Sequence, residues 1–543
     1  MPRSRTLTLA ALVVAFCALA GGAWGRGALE AQDQGVIDQY EIFASALGAI
    51  EEHYVGDFES ERLVYSAITG MLQTLDPHSS FMDPRQFRQM QERQEGRYGG
   101  LGISINVVDG DVTIFNVFEG SPAHESGLRR GDVIARIEGE DAKGWTSTQA
   151  VEHLRGERGT SVDISIRRAG YDDLIDMSVR RDEVRIPTVP AAVMLDATTG
   201  YIKLQDFGEN TNQELGDALE MLTERGMTRL IFDLRGNPGG ALDQAIRVSN
   251  RFLPKDDLIV YTRGRVPNSD QDYRAGETSA YLDVPMVTLV NRTSASASEI
   301  VAGALQDHDR SLIVGETTFG KALVQSVYRL AHGAGAAITT AHYYTPSGRM
   351  IQRPWDESFD DYLTYTFREQ DPNATHDQED LKYTDAGRPV YAGGGIEPDR
   401  RFDGPEEGFN PTPFGRAIFS RGLFEAFAQR FTRRGDDRVP PGATRPLQAI
   451  DADFQVTEEM LAEFEQLVRQ STTMFDEAAW EADHDYIVAM IHREIDVDLF
   501  GLADAHRNLA RRDPMVAFAI EQFHEARQLL ELSQQPDNLR VAR

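Results

Sequence analysis

The stretch Arg229-Leu-Ile-Phe-Asp-Leu-Arg-Gly-Asn-Pro-Gly-Gly240 begins as an apolar β-type run and ends in a glycine-rich turn. The part from Arg229 to Leu234 is predicted to be a buried strand, and a helix is predicted from Leu242 to Phe252, directly after the turn. Glycines in such a turn allow the backbone to approach a ligand and to point N–H groups at it. A plain tight turn would use the same residues, so this stretch predicts a strand–turn–helix unit and leaves its chemistry open.

The alternation of strand and helix continues on both sides of this unit. The pattern predicts a strand from Tyr201 to Phe207, a helix from Asn212 to Leu222 and a strand from Pro285 to Val290. Alternating β and α elements are typical of a sheet covered by helices. Residues 183–400 are therefore predicted to form the largest domain, with a mixed α/β fold.

Residues 98–182 have a different pattern, which is rich in short β-type runs. One helix, from Ser147 to Leu154, interrupts runs that are separated by turns: Gly102 to Val108, Val112 to Phe118, Asp132 to Glu138 and Ser161 to Arg167. This pattern predicts a small β-rich domain that is inserted ahead of the α/β core.

Helices are predicted on the N-terminal side, in residues 34–97. Apolar residues recur at three-to-four spacing from Val36 to Tyr54 and again from Leu63 to Leu75. Asp83-Pro84 is typical of a helix start, with aspartate as N-cap and proline in the first turn.

Residues 401–543 are predicted to form a helical C-terminal extension. Amphipathic helices are expected from Glu458 to Gln470 and from the Asp513-Pro514 start to Leu532. Their apolar faces would suit dimerisation, a partner protein or packing against the core, and the pattern does not choose among these.

The N-terminus has the composition of an export signal. Basic residues in Met1 to Arg5 precede an uncharged, apolar run from Thr6 to Gly25. Residues 1–26 are predicted to be a signal peptide or a membrane anchor, since about 20 apolar residues would also suffice to span a bilayer. The predicted location is therefore exported, either periplasmic or anchored in the membrane and facing the extracytoplasmic side.

Composition excludes some classes of site and partner. The chain has 543 residues with 55 basic and 86 acidic side chains, a net charge of −31, which argues against binding nucleic acid by neutralising phosphates. The only cysteine, Cys17, lies in the apolar run, so the rest of the chain has no disulfide, cysteine nucleophile or zinc thiolate site.

The segment Asn291-Arg-Thr-Ser-Ala-Ser296-Ala-Ser-Glu299 joins an apolar strand to a helical stretch. Such a junction points backbone N–H groups and the positive end of the helix dipole at its surroundings, which suits an anionic tetrahedral intermediate. Ser296 is therefore a candidate nucleophile. Serine is also a preferred N-cap residue, and capping is the alternative interpretation for Ser294 or Ser296.

The segment Gly315-Glu-Thr-Thr-Phe-Gly-Lys321-Ala-Leu-Val-Gln325 places a lysine in a turn after another apolar strand. An apolar setting can lower the pKa of a lysine enough for it to act as a general base, although a solvated surface lysine is the alternative. The segment from Gly315 to Lys321 is close to a phosphate-binding loop, but Ala322 stands where that loop needs a serine or threonine, so the match fails. There is no Gly-x-Ser-x-Gly elbow around Ser296, and His308 is expected to be a satisfied surface residue and no member of a triad.

Three segments together resemble the signatures of the carboxyl-terminal processing peptidases, or tail-specific proteases, which are PDZ-containing serine peptidases with a Ser/Lys dyad. They are Asp233 to Gly240, Ser294 to Glu299 and Gly320 to Gln325, in this order. Further motifs similar to that family are Ser66 to Phe81, Tyr98 to Ile103, Tyr343 to Gly348 and Gly394 to Asp399.

The resemblance implies roles for individual residues. Ser296 would be the nucleophile, Lys321 the general base and Gln325 the residue that orients Lys321. The oxyanion hole would consist of the N–H of Ala297 and one N–H from Gly239 or Gly240. Ala322 departs from the glycine that many members carry, and we expect the turn to tolerate its methyl group. No metal or other cofactor is expected.

The resemblance also implies that residues 98–182 form a PDZ-like domain. Its carboxylate-binding loop would comprise Gly100, Leu101, Gly102 and Ile103, and the strand from Ile103 to Val107 would pair with a substrate tail. The helix from Ser147 to Leu154 would close the groove. A PDZ domain that only gates the active site and binds its ligand weakly is the alternative.

The implied function is that of a serine endopeptidase that recognises exposed C-terminal tails of exported or membrane-associated proteins and cleaves them through an acyl-enzyme on Ser296. The alternative is a catalytically silent PDZ scaffold with a relic protease core, which predicts loss of the serine or the lysine, yet both are present. Expected partners are substrates with exposed C-termini, a membrane through residues 6–25, and a second copy or an activating protein on the helical ends.

Overall fold

The computed structural model describes residues 37–168, 170–355, 362, 364–367, 377–402, 411–432, 450–451, 454–471 and 475–534. The chain divides into two compact units, Met1–Phe81 and Met82–Arg543. The predicted signal peptide or anchor, residues 1–26, lies outside the described residues. Among those that are described, no helix has the length and apolar character that a membrane span requires.

The first unit contains the two helices predicted from three-to-four spacing. They are α1, over residues 37–53, and α2, Ser60–Gln73. Asp76 holds the turn that follows, because its carboxylate accepts the backbone N–H groups of His78 at 2.8 Å and Ser79 at 2.7 Å. A short strand, β1 (Ser80–Met82), begins directly after this turn.

The second unit begins with α3 (Pro84–Glu95), and its predicted start at Asp83-Pro84 is confirmed. Asp83 accepts the backbone N–H groups of Arg85 and Gln86, and the helix ends at Gly96, whose φ is 65°.

A six-stranded antiparallel sheet follows, in the order β3-β4-β5-β7-β8 with β6 beside β5. The short strands β2 and β9 pair with each other outside this sheet. The elements of this part are β2 (Arg97–Gly100), β3 (Ile103–Val108), β4 (Asp111–Val117), α4 (Pro122–Glu125), β5 (Val133–Ile137), β6 (Glu140–Asp141), α5 (Ser147–Leu154), β7 (Ser161–Arg167), β8 (Ile175–Arg180) and β9 (Asp182–Arg185). Because β3 ends the order, one of its edges has no strand beside it among the described residues.

The α/β core is built on a second six-stranded sheet, in the order β10-β11-β12-β15-β16-β21. All neighbouring pairs are parallel except β10 with β11. The strands are β10 (Ala191–Met194), β11 (Thr199–Lys203), β12 (Arg229–Asp233), β15 (Met286–Val290), β16 (Leu312–Gly315) and β21 (Arg400–Arg401). A parallel sheet is normally covered on both faces, and the strands β15 and β16 are accordingly buried at every residue.

The two faces of this sheet pack against different helices. Phe232 of β12 joins a cluster with α6 (Thr211–Glu224), α7 (Leu242–Asn250) and α8 (Ala297–Asp307). Its neighbour Ile231 points to the other face and packs in a cluster with Val516 and Phe523 from the C-terminal helices. The C-terminal extension thus packs on one of the two faces of the core sheet.

A smaller antiparallel sheet adjoins the core. It contains β17 (Leu323–Arg329), β18 (Gly335–Tyr344), β13 (Leu258–Gly264) and β14 (Gln271–Arg274), paired in this order. A separate hairpin joins β19 (Leu381–Tyr383) and β20 (Pro389–Tyr391).

The described part of the C-terminal extension is helical. Its helices are α9 (Pro413–Ser420), α10 (Leu423–Thr432), α11 (Glu458–Ser471), α12 (Glu477–Ala482), α13 (His484–Leu499), α14 (Leu502–Arg512), α15 (Pro514–Glu521) and α16 (Phe523–Ser533). The helix predicted from Asp513 to Leu532 is therefore two helices, α15 and α16. Helices α9 to α13 enclose an apolar cluster of their own around Phe424, Phe464 and Trp480.

Candidate active site

Ser296 lies in the turn between β15 and α8, immediately before the first helical residue. Its φ of 55° and ψ of −113° form a left-handed combination that a residue with a Cβ rarely adopts. Ser296 is partly exposed, whereas Ala295 and Ala297 beside it are buried. Backbone strain of this kind persists where surrounding contacts enforce it, and it is concentrated at functional sites.

The two neighbouring serines are buried and make structural hydrogen bonds. The Ser294 hydroxyl donates to the carbonyl oxygen of Leu234 at 2.9 Å, and the Ser298 hydroxyl donates to that of Asn237 at 2.9 Å. Both bonds attach the turn to the segment after β12. Of the three serines, Ser296 is therefore the one that a substrate could reach.

Lys321 lies in the turn between β16 and β17. Its Nζ donates to Oε1 of Gln325 at 3.1 Å, and Gln325 lies in β17 four positions later. Ala322 is fully buried in the core cluster, and its N–H donates to the side chain of Gln352 at 2.9 Å. The methyl group that departs from the family pattern therefore packs inside the core.

The fully buried carboxylate of Glu299 joins the two turns. One oxygen, Oε2, accepts the backbone N–H of Ser296 at 2.8 Å and that of Lys321 at 2.9 Å. The other oxygen accepts the Gly320 N–H at 2.6 Å and the Thr318 hydroxyl at 2.5 Å. Burial raises the pKa of Glu299, and these hydrogen bonds oppose the rise. The carboxyl group fixes the backbone of Ser296 relative to that of Lys321.

Tyr343, in β18, makes a second connection between the same two residues. Its hydroxyl lies 3.1 Å from the carbonyl oxygen of Ser296 and 2.5 Å from that of Lys321. Burial raises the pKa of Tyr343 well above its ordinary value, so the hydroxyl keeps its proton and acts as the donor.

The glycine-rich turn after β12 packs directly against Ser296. A Cβ placed on Gly239, whose φ is +99°, would lie 2.8 Å from the Ser296 Cβ and 2.8 Å from the Ala297 nitrogen. A Cβ on Gly240 would clash with the backbone of Phe207. Gly239 is thus adjacent to both Ser296 and Ala297, whereas Gly240 packs against Phe207.

A buried charge network anchors the start of this turn. Asp233 accepts hydrogen bonds from Tyr201 at 2.7 Å, Lys203 at 3.1 Å and Arg235 at 2.7 Å. Burial alone would raise the pKa of Asp233, but the charges of Arg235 and Lys203 overcome it and hold the pKa well below its ordinary range. Arg235 also pairs with Asp513 at 2.8 Å, which brings the C-terminal extension to this network.

A cavity of about 350 Å³ opens beside the glycine-rich turn. Helix α3 forms one wall, and the chain before and after β12 forms the others; the lining residues are Gln86, Gln89, Met90, Arg93, Gln94, Asp206, Phe207, Pro238, Gly239 and Gly240. Because Gly239 touches Ser296, this space can hold substrate residues next to the candidate nucleophile.

A second cavity, of about 160 Å³, lies between β3 and α5. Three of the four residues named for the carboxylate loop, Leu101, Gly102 and Ile103, line it together with Tyr98, Ser104, Ile105, Ser147, Val151, Leu154 and Arg155. The fourth, Gly100, lies in β2 and pairs with Asp182. The cavity follows the edge of β3 that has no strand beside it, where an extended peptide could add as a strand.

His308 takes no part in this site. The expectation of a surface residue was wrong, because the segment at Asp385 covers the ring and leaves it 7% exposed. The expectation that it is satisfied is confirmed: Nδ1 lies 2.8 Å from Asp385 and Nε2 lies 2.7 Å from the carbonyl oxygen of Leu258. Within the described ranges, no group of three or more His, Cys, Asp or Glu side chains is placed to hold a metal ion.

Sequence reasoning had assigned no role to Glu299 or Tyr343, although both lie inside family-like motifs. The available signal for Glu299 was a charged residue at the start of a stretch that is otherwise small or apolar as far as Leu305. Nothing in the sequence around Tyr343 indicated that its hydroxyl would lie between two carbonyl groups of distant turns.

Three family models match this chain. Peptidase family S41 matches residues 198–355, the PDZ domain matches residues 89–167, and the activating protease CtpB N-terminal domain matches residues 26–86.

Curated relatives and solved structures extend the comparison. The carboxy-terminal-processing protease of Bartonella bacilliformis is 38% identical over 324 residues, which cover 59% of this chain and 74% of the relative. Carboxy-terminal processing protease CtpA of Bacillus subtilis is 35% identical over 58% of this chain and 67% of its own length. Among solved structures, the photosystem II D1 C-terminal processing protease is 27% identical, covering 69% of this chain and 94% of that one, with a TM-score of 0.34.

Proposed function

Because the chain belongs to the carboxy-terminal processing proteases, as a serine peptidase with an S41 domain and a PDZ domain, we propose that it cleaves proteins through an acyl-enzyme on Ser296 with Lys321 as general base. The observation that carries this proposal is the double connection of the two turns through Glu299 and Tyr343. Contacts that hold one turn in register with the other are what a two-residue catalytic unit needs.

In the proposed mechanism, neutral Lys321 accepts the proton of the Ser296 hydroxyl as Oγ attacks the scissile carbonyl carbon. The resulting ammonium group then gives that proton to the leaving amine, and the acyl group stays on Oγ. A water molecule, deprotonated by the same lysine, hydrolyses the ester and regenerates Ser296. The hydrogen bond from Nζ to Gln325 supports the assignment of Gln325 as the residue that orients the amine.

The proposed oxyanion hole uses backbone N–H groups at the start of α8 and in the glycine-rich turn. Ala297 is the first residue of α8, where N–H groups have no partner within the helix and the helix dipole is positive. Gly239 already donates its N–H to the side chain of Asn237 at 2.9 Å. This favours Gly240 over Gly239 as the second donor.

The PDZ domain is proposed to bind the C-terminal tail of the substrate. A tail would pair with the open edge of β3, its carboxylate would meet the backbone at Leu101 and Gly102, and its last side chain would enter the apolar space between Ile103 and Leu154. Tails that end in an apolar residue are therefore the proposed substrate class.

The proposed substrates are exported or membrane-associated proteins, and the proposed location is the periplasm or the outer side of a membrane. This part of the proposal depends on residues 1–26 alone, with their basic start and their apolar run. We also propose that an activating protein or a second copy of the chain binds the helical ends.

The test is cleavage of an unfolded model protein that ends in an apolar tail. We expect the wild type to cut it and Ser296→Ala and Lys321→Ala to be silent while folded by circular dichroism. Lys255→Ala is the matched control, because Lys255 is an exposed lysine of the same domain. Cleavage by either active-site variant at the wild-type rate would contradict the dyad, and silence of all four proteins would favour a missing activator or a scaffold role.

A further inference from the structure

Arg130, in the PDZ loop between α4 and β5, is inserted among acidic residues of the C-terminal helices. Its guanidinium group pairs with Glu425 at 3.1 Å, with Asp498 at 3.9 Å and with Glu494. The Arg130 side chain is 13% exposed and that of Glu494 is 1% exposed. These four residues are called the Arg130 clasp.

Close packing surrounds the clasp on the PDZ side. The side-chain amide of Asn106, near the end of β3, donates to the carbonyl oxygen of Ser420 at 2.7 Å. The rings of Phe115 and Phe419 meet edge to face with centroids 5.9 Å apart. Gly131 lies so close to the Gln429 side chain that a Cβ could not be added without displacing it. The interface therefore extends beyond a single ion pair.

The groups in the clasp depend on one another. Three carboxyl groups from the C-terminal helices face Arg130, and Arg493 pairs with Glu494 as the second cation. Removing one partner of a buried ion pair leaves an uncompensated charge, which is costly. Loss of Arg130 should therefore destabilise the contact between the PDZ loop and the C-terminal helices.

The same helical segment is also attached to the protease core. Arg511 of α14 donates to the carbonyl oxygen of Leu195 at 2.8 Å, and Asp513 pairs with Arg235 beside the glycine-rich turn. Val516 and Phe523 pack on the core sheet. Helices α13 and α14, which carry Glu494 and Arg511, follow each other directly in the chain and pack together.

The clasp contacts lie outside the peptide groove. Within the part of the chain that the structure describes, the residues that line the groove between β3 and α5 all come from positions 98–155. The C-terminal helices contact the PDZ domain through the Arg130 loop, Phe115 and Asn106, and none of these lines the groove.

We propose that helices α9 to α16 are an internal brace that holds the PDZ domain on the protease core through the Arg130 clasp with its groove open. A substrate tail would then dock at a fixed position relative to Ser296, a consequence that rests on the proposed tail-binding function. The brace itself does not depend on catalysis.

Hydrogen exchange of the full-length chain tests the brace, with Ser296→Ala in every sample to exclude self-cleavage. Arg130→Met keeps the side-chain stem and removes the charge, and Glu494→Gln weakens the clasp from the opposite side. Arg129→Met is the matched control, because Arg129 is the exposed neighbour of Arg130. We expect exchange in residues 127–132, α9 and α10 to accelerate roughly tenfold or more in the first two variants, with β12 and β15 as protected as before.

Two exchange results would overturn the proposal. One is that the hydrogen-exchange rates of Arg130→Met and Glu494→Gln equal those of Arg129→Met in every segment. The other is acceleration that includes β12 and β15 in both variants, because this would mark general destabilisation. In either case the result does not depend on whether the protein cleaves anything, so it is separate from a failure of the proposed function.

A cleavage measurement adds the functional consequence. With Ser296 restored, we expect Arg130→Met to cut a tail-bearing protein about tenfold more slowly than Arg129→Met does. The same substrate with its terminal carboxylate amidated should be cut at equal rates by both variants. Equal rates on the free tail would contradict the fixed docking position.

Discussion

The backbone N–H groups of Ser296 and Lys321 donate to the same carboxylate oxygen, Oε2 of Glu299, at 2.8 Å and 2.9 Å. The two residues are 25 positions apart in the sequence and lie in different turns. A single buried oxygen that accepts from both sets the distance between their backbones, so the proposed dyad is held by a residue that does no proton transfer in the mechanism.

Glu299→Gln is expected to lower kcat/KM by about 100-fold, because the amide would direct an N–H₂ group at two of the four donors that the carboxylate now accepts. The loss should appear mainly in kcat. Steady-state kinetics on the tail-bearing protein measures it, with Glu277→Gln, an exposed glutamate, as the control. Activity of Glu299→Gln within threefold of the wild type (about 0.7 kcal/mol) would contradict a positioning role.

Tyr343→Phe removes one hydroxyl and keeps the ring that fills the core. We expect about 1 kcal/mol less stability in urea unfolding and roughly tenfold lower kcat, since the carbonyl oxygens of Ser296 and Lys321 lose the one hydroxyl proton that they share. Tyr344→Phe is the control, because the adjacent ring stacks on Tyr261 with centroids 4.9 Å apart. An equal effect of the two substitutions on kcat would count against the role of the Tyr343 hydroxyl.

Gly239→Ala is expected to abolish cleavage. The added Cβ would lie 2.8 Å from the Cβ of Ser296. The substitution would also place a residue with a side chain at a φ of +99°, which such residues rarely adopt. Gly226→Ala separates these effects, because it has a φ of +93° but no atom nearer than 3.7 Å. We expect that control to lose about 1–2 kcal/mol of stability and to keep its activity. Similar activities in the two variants would show that the contact with Ser296 is unimportant.

The stability that Glu425 contributes to the folded chain should fall as the pH rises. Burial raises the pKa of Glu425 to about 8, against an ordinary value of 4.5; Glu494 and Asp498 add to the rise, while Arg130 opposes it. The folded chain therefore holds a proton that the unfolded chain releases, so this contribution to stability is complete below pH 4.5 and is lost as the pH rises through about 8.

The difference in unfolding free energy between wild type and Glu425→Gln isolates this contribution. We expect the wild type to lose stability relative to the variant between pH 5 and pH 8. Both proteins keep Gln429, whose side-chain amide donates to Glu425 at 3.2 Å in the wild type. A difference that is constant over this range would show that Glu425 does not titrate there.

Val151→Asp should selectively impair tail recognition. Val151 lines the groove, and a carboxylate there would repel the carboxylate of the tail. We expect KM for the tail-bearing protein to rise about tenfold, with little change for the amidated substrate. Leu174→Asp, an exposed position of the same domain, is the control. Equal KM values for Val151→Asp and this control would exclude the groove as the tail site.

The local parts of the fold were predictable from the sequence. The strand and turn from Arg229 to Gly240 are present, and Lys321 and Gln325, four positions apart, are joined by a hydrogen bond. Strand β11 ends at Lys203, earlier than the predicted Phe207, because the chain leaves the sheet there and Phe207 forms a single bridge with Gly240. Periodicity cannot reveal such a departure, since the apolar pattern continues through it.

The contacts between distant segments were not predictable. Glu299 meets Thr318, Gly320 and Lys321 only because β15 and β16 are neighbours in the sheet. Arg130 and Glu494 are separated by 364 positions, and each would pass as a surface charge in its own segment. The core was expected to end at residue 400, so the packing of α15 and α16 on the core sheet was not predicted.

Capture of the acyl-enzyme shows whether Ser296 is the nucleophile and whether Lys321 activates it. Wild type, Ser296→Ala and Lys321→Ala would be mixed with a peptide ester that ends in an apolar residue, quenched in acid after short times and digested for mass spectrometry. We expect an acyl group on the peptide that contains Ser296, absent from Ser296→Ala and formed at least about 100-fold more slowly in Lys321→Ala. An acyl group on another residue, or acylation of Ser296 at an unchanged rate without Lys321, would contradict it.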